Sequence, residues 1–250
     1  METVHKNDTE QKVNLDPPVK DKALALPFSS VSPKPEQTVG FGDFIEIEFT
    51  GIANGEIFDT TSKEEAKKIG LEADVKPMII SVGNQMLLQG LDENLDGKEM
   101  NKKYSVHLTP DKAFGKRNPD MIKIIPLRVF KEKDMNPYPG MTVQLDNYIA
   151  KILSVSGGRV SVDFNNPLAG KEIDYNFSIK RKITDTKEKI NALLDFFLRM
   201  RFDFDIDETN KKVIFQKSEI KPFIEMFKDK FKTITGYDFE VNERKEEYKK

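Results

Sequence analysis

The chain has 250 residues, of which 33% are charged and 38% hydrophobic, and its formal net charge is -2. This length favours two or three domains, and the nearly balanced charge gives no general attraction to nucleic acid or to an anionic membrane. Because the sequence contains no cysteine, disulfides and thiolate catalysis are excluded. No apolar run approaches the roughly 18 residues of a membrane span, and no signal peptide is recognisable. We therefore expect a cytoplasmic protein without nucleic-acid or membrane partners.

Residues 1–39 form a polar segment interrupted by five prolines, with no sustained helical or strand period. This composition predicts a mostly disordered tail or linker. Within it, residues 23–28 are apolar enough to add an edge contact to the body of the protein. His5 is expected to be solvated.

The first structured region begins with alternating apolar and polar residues at 44–49, which predict a strand that ends at Gly51. The Asn54-Gly55 dipeptide predicts a hairpin turn, and residues 56–61 follow it as the partner strand. From pattern alone, Phe49 is more often a core aromatic than a binding residue, and Asp59 is equally well explained as a turn-capping carboxylate. Residues 62–70 predict a short charged helix, and residues 76–83 predict a further strand.

The stretch from Gly83 to Gly115 organises the chain. Residues 86–95 place apolar side chains at spacings of three and four, which predicts a short helix closed by Gly97. Residues 104–108 alternate as a half-buried strand, with Val106 and Leu108 inward and His107 outward. The stretch ends in a loop that carries one aromatic residue, Phe114.

This stretch, GNQMLLQGLDENLDGKEMNKKYSVHLTPDKAFG, resembles the signature of the FKBP family of peptidyl-prolyl isomerases. The chain is most similar to the long archaeal and SlyD-like branch of that family. Two positions depart from the usual pattern, because Leu91 stands where many members have tryptophan and Phe114 where tyrosine is usual. The resemblance implies an α+β fold, in which a bent antiparallel half-barrel formed by residues 40–117 and 164–182 surrounds a short helix.

The resemblance also implies a catalytic site that needs neither cofactor nor metal. Asp59 would lie at the rim of a prolyl pocket and flank the twisting carbonyl together with the Phe114 loop. The backbone N–H of Leu88 would anchor the substrate carbonyl that follows proline. The implied catalytic residues are Asp59, Phe114, Phe49 and Leu88, and the implied substrate-binding residues are Met78, Leu87, Leu91, Tyr175 and Leu168.

Residues 118–163 interrupt the family pattern and have their own strand signals. We predict strands at 122–125, 128–130, 142–145, 148–155 and 159–164, separated by turns at 137–140, 146–147 and 156–158. The segment therefore predicts a small all-β domain, which resembles the insert-in-flap domain that grips unfolded polypeptide in this branch. Its expected chaperone surface consists of Ile122, Ile125, Leu127, Phe130 and Tyr138.

Residues 184–245 lie beyond the resemblance and predict an αββαβ unit. Asp185 with Glu188 is a helix-capping pair, and a second helix is expected to carry Ile220, Phe223, Phe227 and Phe231 on its apolar face. A unit this small buries little surface alone, so we expect a homodimer through this C-terminal domain. Alternating aspartates at 203–207 resemble a calcium loop, but the required glycine and glutamate are missing at its sixth and twelfth positions. The outward face of a strand is the better interpretation.

Two other functions remain open at this stage. A holdase chaperone could use the FKBP barrel only as a scaffold, although a scaffold needs no rim carboxylate such as Asp59. An unrelated β-barrel binding module would not explain the family pattern on both sides of the insert. With two histidines and no cysteine, metal binding is not expected, and the histidine-rich tail of bacterial SlyD-like proteins is missing. The favoured partners are unfolded or partly folded polypeptides that contain proline.

Overall fold

A computed structural model describes residues 38–71, 75–145 and 148–242 of the chain. Its strands are β1 (Phe44–Ala53), β2 (Glu56–Thr60), β3 (Met78–Ser81), β4 (Lys103–Leu108), β5 (Ile122–Pro126), β6 (Thr142–Leu145), β7 (Tyr148–Ser156), β8 (Arg159–Asp163), β9 (Ile173–Lys182), β10 (Phe204–Asp207), β11 (Lys212–Phe215) and β12 (Asp238–Val241). Its helices are α1 (Lys63–Lys68), α2 (Gln89–Glu93), α3 (Leu127–Lys131), α4 (Thr186–Phe197) and α5 (Lys221–Thr235).

The N-terminal boundary differs slightly from the sequence-based expectation. Val39 is fully buried, and its N–H donates to the carbonyl of Lys98 at 2.9 Å. The body of the protein therefore includes this last residue of the predicted tail. His5 and residues 23–28 lie outside the described residues.

The first sheet has the strand order β2-β1-β9-β4, with β3 also paired to β1, and all of its pairings are antiparallel. This mixed α+β arrangement is consistent with an FKBP fold. Helix α2 is shorter than predicted because Leu88 has an extended conformation (φ -56°, ψ 140°) and the helix begins only at the next residue. As expected, Leu108 points into the core while His107 is exposed on β4.

The second sheet has the order β5-β8-β7-β6 and is also antiparallel. Its hydrophobic core consists of Phe130, Val143, Ala150, Ile152, Val160 and Val162, and it is separate from the core of the first sheet. The predicted turns at 137–140 and 156–158 are present, whereas residues 146–147 lie outside the described residues.

The prediction of a strand at residues 128–130, and with it an all-β insert, is wrong. These residues form helix α3, in which Leu127 and Phe130 are three positions apart and pack on the sheet from one helical face. Phe130 is fully buried, so its assignment to an exposed chaperone surface is also wrong. Alternation over only three residues cannot distinguish a strand from one helical turn.

The C-terminal region has the predicted order of helix, two strands, helix and strand. Its sheet has the order β10-β11-β12, with β12 parallel to β11. Asp185 caps α4 by accepting the N–H of Glu188 at 2.7 Å, and Gly236 ends α5 in the left-handed conformation. The buried residues of α4, including Leu193 and Leu194, belong to the same hydrophobic cluster as the first sheet.

One predicted core position of α5 is misplaced. Phe223 is 38% exposed, and Ile224 is buried in its place. The buried or partly buried positions 220, 224, 227 and 231 therefore follow a spacing of four, three and four. None of the described helices is long and apolar enough to cross a membrane.

Candidate active site

Four aromatic rings meet where β1, β2 and β9 lie side by side. Phe58 packs edge-on against Phe114, with ring centroids 5.6 Å apart, and against Tyr175 at 5.9 Å. Phe49 packs edge-on against Tyr175 at 5.8 Å. Such edge-to-face pairs are favourable beyond the area that they bury. The four rings therefore form a fixed, largely dry group of aromatic side chains.

Gly51 makes room for these rings. A Cβ atom at this position would lie 2.6 Å from Cζ of Phe58 and 2.9 Å from Cε1 of Tyr175. Both distances are shorter than atoms of neighbouring side chains can approach without a shift. The glycine that ends the predicted strand is thus required by the space that the rings occupy.

Asp59 lies beside this group, and its Cα is paired with that of Gly51 across the β1–β2 hairpin. Although its side chain remains exposed to solvent, partial burial raises its pKa, and a hydrogen bond from the N–H of Thr60 opposes that rise. Burial also raises the pKa of Tyr175, and the charge of Asp59 adds to this effect. The carboxylate is therefore within electrostatic reach of the aromatic group.

Hydrogen bonds join Phe49 and Thr50 to the two residues that follow Asp59. The N–H of Phe49 donates to Oγ1 of Thr61 at 2.8 Å, and the N–H of Thr61 donates to the carbonyl of Phe49 at 2.9 Å. The hydroxyls of Thr50 and Thr60 lie 2.8 Å apart in the buried interior of the hairpin.

Helix α2 and the residues before it belong to the same hydrophobic core as the four rings. Leu87 and Leu88 are partly buried against this core, whereas Leu91 is almost fully buried and so cannot line an accessible surface. No acceptor for the N–H of Leu88 is found among the described residues. Asp92, which the sequence analysis did not single out, accepts the N–H groups of Gly83 and Gln85 at 2.8 and 3.0 Å and fixes this loop.

Of the remaining predicted site residues, Met78 lies near Phe49 and Asp59. Met78 is half-buried on β3 and lines one cleft together with Phe49 and Asp59. Leu168 packs against the main core, as does Phe114. The sequence analysis missed Phe58, although its position directly before Asp59 on a predicted strand was a usable signal.

The second sheet leaves several large apolar side chains exposed. Ile124, Tyr138, Tyr148 and Ile149 are between 62% and 69% exposed. Of the predicted surface residues, Ile125 and Leu127 are partly buried against the core of this sheet, and Ile122 is half-buried. Tyr138 is the only exposed residue of the predicted set.

Two chain crossings connect the second sheet to the first. Arg117 on one crossing forms an ion pair with Asp163 on the other, and Asn165 donates to the same carboxylate through Nδ2 at 2.7 Å and through its backbone N–H at 3.0 Å. The N–H of Asn118 donates to Oδ1 of Asn165 at 2.8 Å. Burial disfavours ionisation of Asp163, but these hydrogen bonds and the charge of Arg117 outweigh it and lower the pKa.

Among the described residues, no group of three or more histidine, cysteine, aspartate or glutamate side chains could hold a metal ion. The fold and the site define an α+β protein with a group of four aromatic rings beside the carboxylate of Asp59. Comparison with known proteins assigns this class to a family. A model described as FKBP-type peptidyl-prolyl cis-trans isomerase matches residues 36–128, and a model described as FKBP26, IF domain matches residues 123–168.

Individual relatives agree with these matches. The chain is 31% identical over 142 residues to the short-type peptidyl-prolyl cis-trans isomerase of Methanocaldococcus jannaschii, which covers 56% of this chain and 90% of that protein. It is 28% identical over 125 residues to the FKBP-type 16 kDa peptidyl-prolyl cis-trans isomerase of Escherichia coli K12, covering 48% and 80%. It is 26% identical over 139 residues to SlyD of Aeromonas hydrophila, covering 55% and 60%. The chain belongs to the FKBP-type peptidyl-prolyl cis-trans isomerases, and its activity is that of this family.

Proposed function

We propose that this isomerase acts on proline-containing segments of unfolded or partly folded polypeptides, which its second sheet holds near the pocket. The observation that carries the isomerase site is the convergence of four aromatic rings beside Asp59. We further propose that the chain is of the long archaeal, SlyD-like type. In this proposal, residues 118–163 form an insert-in-flap domain and residues 184–245 a C-terminal extension.

The reaction is rotation about an X-Pro amide, whose barrier is roughly 18–20 kcal/mol. No covalent bond is made or broken, so no nucleophile is needed. A dry pocket weakens amide resonance because water no longer hydrogen-bonds to the carbonyl oxygen. A pocket complementary to the twisted amide lowers the barrier, and differential binding of about 8 kcal/mol gives ~10⁶-fold acceleration.

The described geometry supports separate roles for the aromatic rings, for the N–H of Leu88 and for Asp59. The rings of Phe49, Phe58 and Phe114 form walls that exclude water from the proline. The N–H of Leu88, which has no acceptor among the described residues, is available to a substrate carbonyl. Asp59 places a negative charge next to the twisting amide at the pocket rim.

An isomerisation assay on a proline tetrapeptide tests this site. Phe114→Ala and Asp59→Ala should each lower kcat/KM about tenfold or more, because each removes one side of the pocket. Phe223→Ala serves as the matched control, since this phenylalanine lies on α5 and is exposed. Unchanged kinetics in both pocket variants, with the control also unchanged, would refute the site assignment.

The second sheet is proposed as the client-binding surface because it leaves several large apolar side chains exposed. Ile124 on β5 and Ile149 and Leu153 on β7 are all accessible, and exposed apolar patches mark interaction sites. Strands β5 and β6 are the edges of this sheet, and an edge strand can add main-chain hydrogen bonds to an extended peptide with little sequence preference. This surface replaces the predicted set of Ile122, Ile125, Leu127, Phe130 and Tyr138, of which only Tyr138 is exposed.

The alternative function is a holdase that binds clients without catalysis. It predicts suppression of aggregation without faster proline-limited refolding.

We also propose the cytoplasm as the location and a homodimer through the C-terminal region. Light scattering of the full chain should give the mass of a dimer. A monomeric mass would refute self-association.

A further inference from the structure

The predicted isomerase site shares Phe49, Asp59 and Met78 with a cleft whose opposite wall comes from the C-terminal region. The cleft has a volume of about 840 Å³. Phe49, Asp59 and Met78 line it on the side of the first sheet. Phe196 and Arg199, from α4 and the residues directly after it, line it on the other side.

The opposite wall is fixed in place rather than loosely apposed. Arg181 on β9 donates to Glu46 on β1 at 2.6 Å and to Glu188 on α4 at 3.1 Å, which joins the helix to the sheet. Ile190 and Leu193 on α4 are fully buried in the core that the two regions share. Helix α4 therefore keeps a constant distance from the pocket.

Arg199 has an unusual backbone conformation for an arginine. It follows the C-cap residue Leu198 with φ +55°, in the left-handed region where glycine is the common residue. A residue other than glycine adopts this backbone conformation at a cost in free energy, and residues with such backbone strain cluster at binding sites. The arginine is exposed, so core packing does not account for its presence.

Five cationic and five carboxylate side chains line the cleft, but not all of them are paired with one another. Arg181 is paired with two carboxylates, those of Glu46 and Glu188, and Arg201 is paired with Asp195. Three further lining cations, Lys76, Lys187 and Arg199, have no carboxylate within ion-pairing distance among the described residues. Two lining carboxylates, those of Asp59 and Asp185, also lie outside these ion pairs, but Asp185 already caps α4. An acidic residue of a client can therefore pair with Arg199 without displacing an existing ion pair.

We propose that this cleft holds the client segment next to the X-Pro bond, and that Arg199 favours clients with an aspartate or glutamate in that segment. The proposal rests on the isomerase site proposed above, because the cleft is continuous with that site through Phe49 and Asp59. Catalysis at the pocket and selection in the cleft would then be carried out by different residues. Arg199 would be a specificity-determining residue that contacts the substrate.

The test compares proline peptides that differ only in residues two to four positions from the X-Pro bond, on either side. These flanking positions carry glutamate, alanine or lysine. For the wild-type full chain, we expect kcat/KM to be about two- to fivefold higher with glutamate than with alanine, the range of an exposed ion pair. Added salt should reduce this preference.

Arg199→Gly removes the guanidinium and places at this position the residue that favours the left-handed conformation. It should keep the fold and the activity on alanine-flanked peptide but abolish the preference for glutamate. Arg199→Lys should retain part of that preference. Arg128→Ala, which removes an exposed arginine from α3, is the control and should behave as wild type.

The possible failures can be told apart. If the wild-type chain does not isomerise the alanine-flanked peptide, the proposed pocket is wrong. If it isomerises all flanks equally, or if Arg199→Gly keeps the full preference for glutamate, only the cleft proposal is overturned. The proposal is also overturned if kcat/KM is the same for all three flanks and light scattering gives Arg199→Gly a lower mass than the wild type. That result would assign the cleft to contacts between two copies of the chain.

Discussion

The first and second sheets differ in how their cores are built. The first sheet shares one continuous hydrophobic cluster with α4 and α5, whereas the second has a small core centred on Phe130 and Ile152. The first encloses its aromatic residues, and the second exposes large apolar side chains such as Ile149. A pocket that must match a twisted amide needs support from long-range packing, whereas a surface that holds unfolded chains needs exposure.

The largest expected effect comes from removing the second sheet. If residues 118–163 are replaced by a short Gly-Ser link, activity on a tetrapeptide should be retained because the aromatic pocket lies outside this segment. Catalysis of a proline-limited refolding reaction should fall more than tenfold, since holding a client nearby raises the local concentration of its X-Pro bonds. Suppression of aggregation should be lost. Refolding at the wild-type rate would show that the second sheet does not bind clients.

Matched core substitutions compare the two regions directly. Leu193→Ala on α4 and Ile152→Ala on β7 each remove a fully buried side chain, and each should cost about 2–5 kcal/mol of unfolding free energy. Because Leu193 belongs to the core of the first sheet, its substitution should lower the temperature at which tetrapeptide activity is lost. Ile152→Ala should leave that temperature unchanged and impair only client binding. If both variants lose activity together on heating, the two cores unfold as one.

The junction between the sheets should respond to acid. The lowered pKa of Asp163 means that its ionised form stabilises the folded state above its ordinary pKa of 3.8. This stabilisation is lost as the pH falls through the lower, folded-state value. Hydrogen-exchange rates are compared after correction for intrinsic exchange. In the wild type, the corrected rate in the second sheet should therefore rise at acidic pH before that in the first sheet. Asp163→Asn should already exchange faster at neutral pH, and its corrected rate should not rise further in acid.

The smallest effect is expected on the outer face of β4. Nδ1 of His107 lies 2.8 Å from the carboxylate of Asp174, and this contact raises the pKa of the imidazole. The stabilisation is present below pH 6.5 and is lost as the pH rises through the raised pKa. Since the pair is exposed, His107→Gln should barely change the melting temperature at any pH and should leave kcat/KM unchanged. A shift of several degrees would mean that this pair contributes more than exposed pairs usually do.

Alternation and turn residues were sufficient to predict most strands of the molecule, including the Asn54-Gly55 hairpin and the order of elements after residue 184. They failed at residues 128–130, where one helical turn and a short strand have the same apolar pattern. The resemblance to a known family placed Phe49, Asp59 and Phe114 in one site. It did not identify Phe58, although this residue directly precedes Asp59. It also did not identify Arg199, because the proposed role of this residue depends on the approach of α4 to the first sheet, which is distant in sequence.

Two glycines of the β1–β2 hairpin lead to opposite expectations for sequence variation. Gly51 has an ordinary backbone conformation but no space for a methyl group, whereas Gly55 has φ +80° and nothing within 4 Å of a Cβ atom. In a library that samples every amino acid at both positions, Gly51 should survive selection only as glycine. Gly55 should also yield asparagine and aspartate, which tolerate the left-handed region. The substitution profile of this hairpin would then report steric exclusion at one glycine and backbone preference at the other.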